Sequence, residues 1–186
     1  LSEIETLCGK KSGTKRQPLQ ISLVGIGMGN GKLLTGEARE AIGQAKAVCG
    51  AKRLLAAADT LIAPDAEKRE AYLPADLLPY IYSCRERKIG RIAILFSGDT
   101  GFYSAAEKLG AVLERRGNYT VEVIPGISSV GYFFAKIRRP WDHAKLFSMH
   151  GQAANFALEL KRSGSAFILG GGADFYETIC GQLIDL

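Results

Sequence analysis

Three short stretches of the chain concentrate the residue types that hold small molecules. They are Val24-Gly-Ile-Gly-Met-Gly-Asn30, Ser97-Gly-Asp-Thr-Gly-Phe-Tyr-Ser104 and Ile124-Pro-Gly-Ile-Ser-Ser129. Glycines let a backbone turn sharply and come close to a ligand with no Cβ in the way. Asp99, between Gly98 and Thr100, supplies an acceptor for ligand hydroxyl or amine groups. It could equally be an acid serving the N-terminus of a helix that opens near Tyr103. Ser128 and Ser129 bring hydroxyls that either donate to a ligand or cap the helix that follows them.

Several chemistries find no support in these residues. A dinucleotide fingerprint needs G-x-G-x-x-G running straight into a helix, whereas residues 25–29 read G-x-G-x-G and the next helix waits until about Thr35. Gly31-Lys32-Leu33 lacks the spacer and the Ser/Thr of a phosphate-binding P-loop. Cys8, Cys49, Cys84 and Cys180 are far apart and show no zinc spacing, so reduced thiols and no metal are expected. His143 and His150 are the only histidines, and no hydrolase triad can be built around them. His150, in Ser148-Met-His-Gly-Gln152, ends an expected strand and either lines a pocket or serves the structure.

The loops need strands and helices to hold them, and the apolar pattern supplies these in alternation. Strands are expected at Leu19–Ile26, Ala45–Cys49, Thr60–Ala63, Arg91–Phe96 and Thr120–Ile124. Helices are expected from Thr35 to about Lys46, with Thr35 as N-cap, over Arg53–Ala58, from Pro74 through Leu77, Leu78, Ile81 and Cys84, over Tyr103–Arg116, and from Ser128 to Lys136. Uninterrupted apolar strands alternating with helices make a parallel α/β domain buried on both faces. Each glycine loop then follows a strand, where such folds place ligands. Phe133, Phe134, Phe147 and Phe167 have spacing that fits core packing.

Arg138-Arg139-Pro-Trp-Asp142 breaks the alternation. The domain organisation expected is a mobile basic arm over 1–18, an N-terminal α/β domain over 19–138 and a smaller α/β domain over 139–186. Only the strands Ala144–Met149 and Ala166–Leu169, with helices near Asn155–Arg162 and from Phe175, fall in the last of these. Two strands and two helices make a poor independent core, so that domain reads as truncated or as completed by a partner chain.

With 186 residues, 47% of them hydrophobic, the chain can bury one good core and part of a second. Its net charge of +5, from 24 Lys and Arg against 19 Asp and Glu, is only moderately basic, and polycarboxylate or phosphate ligands explain it as well as nucleic acid does. Apolar runs fall far short of the ~20 residues of a membrane span, and the N-terminus has no signal-peptide core. A cytoplasmic protein with no nucleic-acid or membrane partner is expected.

Taken in order, the three loops, together with Leu34-Thr35 and Glu37-Ala38, resemble the tetrapyrrole methylase family, which uses S-adenosylmethionine as methyl donor. Gly101-Phe-Tyr-Ser104 and Ser148-Met-His-Gly151 are most similar to the cobalamin-pathway branch that methylates ring carbon C5 of a precorrin. The resemblance covers about Leu19–Leu169. It implies a two-domain fold with the donor between the domains, S-adenosylhomocysteine as product, a precorrin or cobalt-precorrin substrate, a homodimer, and a decarboxylating methyltransferase as a further partner. Site residues implied are Gly27, Gly29, Gly98, Asp99, Thr100, Phe102, Tyr103, Ser128, Ser129, His150 and Leu169, with Asp99 as the candidate catalytic residue. Arg53, Arg138 and Arg139 are candidates for the substrate's carboxylates.

The chain departs from the family in three ways. Many members carry proline at the positions of Met28 and Thr100, the turn Gly170-Gly-Gly-Ala-Asp174 differs, and members run on past the position of Leu186. Other acceptors, such as a different ring carbon, an RNA ribose or a protein side chain, and a non-catalytic donor-binding module are the alternatives.

Overall fold

A computed structural model describes residues 18–116, 119–148, 156–170 and 175–184. The arm expected over 1–18 lies outside them except for Pro18. The first sheet has five parallel strands: β1 (Leu19–Gly25), β2 (Ala47–Gly50), β3 (Glu67–Glu70), β4 (Arg91–Phe96) and β5 (Tyr119–Ile124). Their order across the sheet is β3-β2-β4-β1-β5. The helices between them are α1 (Gly36–Gln44), α2 (Lys52–Ala58), α3 (Pro74–Glu86) and α4 (Ala106–Arg115), and α5 (Ser129–Lys136) follows β5.

Alternating side chains of the central strands feed two cores. Ile92 and Ile94 of β4 join Ile21 and Leu23 of β1 against Leu77 and Ile81 of α3 and Leu109 and Leu113 of α4. Ala93 and Leu95 turn the other way, with Val24, onto Ala38 and Ile42 of α1 and Leu54 of α2. A strand apolar at every position is thus a strand with a helix layer on each face. Local chemistry starts the helices where the sequence suggests: the Thr35 hydroxyl accepts from the Ala38 N–H at 3.1 Å, and Pro74 opens α3.

Two elements differ from expectation. Thr60–Ala63 is no strand: a 3-10 turn spans Asp59–Leu61, and the third strand is Glu67-Lys-Arg-Glu70, exposed at every residue. As the sheet's edge strand it is held by backbone pairing to β2, which leaves no apolar signature to read. The helix expected from Tyr103 opens at Ala106, because Tyr103 takes a left-handed conformation (φ 47°) and the Ser104 hydroxyl accepts from the Ala106 N–H.

Past Pro140, β6 (Lys145–Ser148) and β7 (Ala166–Leu169) pair in parallel as a separate two-stranded sheet. Helix α6 (Phe156–Ser163) joins them, and α7 (Phe175–Ile184) follows. Among the phenylalanines read as core, Phe134 is buried but Phe133 is 49% exposed.

Candidate functional site

β4, β1 and β5 are adjacent and parallel, so the three glycine loops emerge side by side at one edge of the sheet. They are locked to one another through backbone. Gly27 and Gly98 exchange hydrogen bonds, N–H to carbonyl in each direction, at 3.0 and 2.9 Å. A Cβ on Gly25 would lie 2.6 Å from the Gly126 nitrogen and 2.8 Å from the Gly98 oxygen, while one on Gly126 would run into the Gly98 carbonyl. Only glycine allows this three-way approach. Gly27, Gly29 and Gly98 also have positive φ, and nothing stands within 4 Å of a Cβ on Gly29 or Gly98, which leaves open space beside both.

Asp99 is not a helix acid, since α4 opens seven positions later. Its carboxylate instead accepts from the Gly101 N–H at 3.1 Å, a local turn that fixes the acid within the loop. Thr100 points the other way: it is buried and its hydroxyl donates to the Ile124 carbonyl at 3.2 Å, tying the second loop to the end of β5. Any contact it makes to a ligand must therefore come from its backbone. Ser128 occupies the N-cap position of α5 yet makes no capping bond, and its Oγ is buried with no hydrogen-bond partner. Buried hydroxyls are rarely left so, and an orphaned one beside glycine loops is what a ligand acceptor or donor would satisfy.

Phe102 and Tyr103 face the small sheet. The Tyr103 hydroxyl donates to the Leu146 carbonyl at 3.1 Å, and the Phe102 ring lies 6.2 Å from that of Phe167. With Thr100, Gly101, Ser104 and Glu107 they line a cleft of ≈ 590 Å³. Leu169 ends β7 opposite Ser148 in the register. Ser129 is the first residue of α5. His150 lies outside the described residues. A second groove of ≈ 520 Å³, lined by Gln20, Ser22, Glu37 and Glu122 among others, sits on the sheet face and is not where the loops meet.

Sequence reasoning read Gly25 and Gly126 as loop glycines without their packing against one another, and it overlooked the Leu146 carbonyl. The first two had a signal in their neighbouring Gly and Pro; a backbone oxygen has none. Among the described residues, no helix is long and apolar enough to cross a membrane, and no group of three or more His, Cys, Asp or Glu could hold a metal ion.

A parallel α/β sheet with three interlocked glycine loops at its C-terminal edge, and a smaller sheet beside them, defines a class of small-molecule-binding α/β proteins. Residues 20–185 match the family model of the Tetrapyrrole (Corrin/Porphyrin) Methylases, and the chain belongs to that family. It is 33% identical over 136 residues to the cobalt-precorrin-7 C(5)-methyltransferase of Salmonella typhimurium, covering 73% of this chain and 64% of that protein. The probable cobalt-precorrin-7 C(5)-methyltransferase of Methanocaldococcus jannaschii is 32% identical, with 73% and 62% covered. The chain thus spans a little under two thirds of the length of these relatives.

Solved structures agree on the fold. A cobalt precorrin-4 methyltransferase of cobalamin biosynthesis superposes with a TM-score of 0.70 at 19% identity, covering 89% of this chain and 74% of that one. The uroporphyrin-III C-methyltransferase of Thermus thermophilus, complexed with S-adenosylhomocysteine, gives 0.65 at 22% identity, covering 89% and 76%.

Proposed function

We propose that the chain is an S-adenosylmethionine-dependent C-methyltransferase acting on ring carbon C5 of a precorrin or cobalt-precorrin in cobalamin biosynthesis. The observation that carries the donor reading is the meeting of three glycine loops around an acid and an orphaned buried hydroxyl. The names and identities of the two curated relatives support the choice of acceptor.

The residues present fit the donor. Open space beside Gly29 and Gly98 admits a ligand against the backbone, and Ser128 offers a hydroxyl that has no partner. Asp99 offers a carboxylate for ribose hydroxyls or an amino group. Gly27, Phe102, Tyr103, Ser129, Leu169 and His150 complete the proposed surroundings. When bound, the donor supplies an electrophilic methyl group on a sulfonium. The protein's task is then positioning: holding donor and ring carbon within roughly 3–3.5 Å of each other and keeping water out. Asp99 orients rather than attacks.

The same reading places the enzyme in the cytoplasm as a homodimer. Buried thiols at Cys49 and Cys84 suit a reducing compartment, and Val123, exposed on the edge strand β5, offers apolar surface to a second copy. A domain division near residue 138 is part of the proposal, and the separation of the two sheets supports it.

Transfer of a labelled methyl group from S-adenosylmethionine tests the reading, with precorrin-7, cobalt-precorrin-7, other precorrins, RNA and protein offered as acceptors. Label on C5 of a precorrin-7-type acceptor, reduced at least roughly tenfold by Asp99→Ala, is expected for a carboxylate that makes charge-assisted bonds to the donor. Label on another acceptor class would contradict the substrate assignment, and undiminished transfer by the variant would remove Asp99 from the site.

A further inference from the structure

We infer that Phe102 and Tyr103 form the joint that seats the small sheet on the Asp99 loop, with Tyr103 a positioning residue acting through Leu146. Its consequence for the donor rests on the function proposed above. The two side chains grip one rung of the small sheet. Leu146 and Phe167 are direct partners in the β6–β7 register; the Tyr103 hydroxyl holds the carbonyl of the first, and Phe102 packs toward the ring of the second. Phe167 continues the contact into the first lobe, with ring centres 5.7 Å from Phe133 and 6.3 Å from Phe134.

The backbone is bent to achieve this. Tyr103 has φ 47°, a conformation that glycine adopts freely and that an L-residue takes only when its surroundings repay the strain. The residue is 57% exposed, so its burial contributes little of that repayment. What repays it is the 4.9 Å edge-on contact with Phe102 and the hydrogen bond to Leu146. The joint is also short. The Phe102 N–H donates to the Asp99 carbonyl at 3.2 Å, so the acid and Phe102 close one turn and Tyr103 follows it directly. A shift of the small sheet is therefore felt at Asp99 with no flexible linker between them.

Tyr103→Phe tests this with two readouts, because it keeps the ring and removes only the hydroxyl. Amide hydrogen exchange over residues 145–148 should quicken at least about threefold while β1 and β4 stay protected as before. The dissociation constant of S-adenosylhomocysteine should rise roughly three- to tenfold, the worth of one hydrogen bond. Unchanged exchange over 145–148 would overturn the joint whether or not the ligand binds. Faster exchange with unchanged affinity would overturn its positioning role. Failure of the unsubstituted protein to bind S-adenosylhomocysteine would remove the donor reading and the positioning role with it, leaving the exchange comparison to decide the joint itself.

Discussion

Asp99 and Thr100 are neighbours in sequence and do opposite work. Thr100 gives its hydroxyl to the Ile124 carbonyl and knits the site's frame, while the Asp99 carboxylate, among the described residues, bonds only its own turn, at the Gly101 N–H. Residue types alone could not separate the two, since both suit a ligand; the difference lies in which way each side chain points once the loop is bent. Ser128 shows the converse. Its place ahead of a helix suggests a cap, yet its hydroxyl caps nothing and is buried unpaired. Such a group costs stability when nothing satisfies it. Ser128→Ala should therefore leave the ligand-free protein as stable or raise its stability by about 1 kcal/mol in urea unfolding, while weakening S-adenosylhomocysteine binding. A loss of stability would mean that the hydroxyl is already satisfied.

Elements with an apolar face or a cap were legible: β4, β1 and α1 fall where periodicity and Thr35 put them. β3 was not, because an edge strand of four exposed charged residues carries no burial pattern, and its partner β2 specifies it through backbone alone. Side chains still anchor it to α3. Glu67 accepts from the Tyr80 hydroxyl at 2.8 Å and pairs with Arg87. The Arg87 hydrogen bond, with Tyr80's beside it, holds the Glu67 carboxyl below its ordinary value. A carboxyl so depressed on folding adds stability that is full above its unfolded pKa of about 4.3 and is lost as pH falls through the lower folded value. The stability difference between the native chain and Glu67→Gln should accordingly narrow below about pH 4 in urea titrations. A constant difference across that range would show that the charge contributes nothing.

The junction of loops is also a matter of elements. Gly126→Ala puts a Cβ into the Gly98 carbonyl and should cost about 1–3 kcal/mol. Gly131→Ala, in α5 with nothing within 4 Å of the new Cβ, should instead stabilise by roughly 0.5–1 kcal/mol. Thermal unfolding of both variants separates packing from propensity; equal effects would mean that the three-loop contact is loose.

For the whole molecule, the decisive fact is strand order. Each glycine loop could be read from the sequence as the end of a strand, but their meeting depends on β4 lying beside β1 and β5 on its other side. That order follows from long-range pairing, which no local pattern encodes; only the set of motifs taken in register pointed to it. The contact across to the small sheet was less legible still, because one half of it is the backbone oxygen of Leu146. The central claim is that the edge formed by β4, β1 and β5 is a methyl-donor site. Isothermal titration of the chain with S-adenosylhomocysteine tests it most directly. Saturable heat with one site per chain is expected, with affinity weakened at least roughly tenfold by Asp99→Ala while the thermal midpoint of unfolding holds. Absence of binding at millimolar ligand, from a chain shown to be folded, would contradict it.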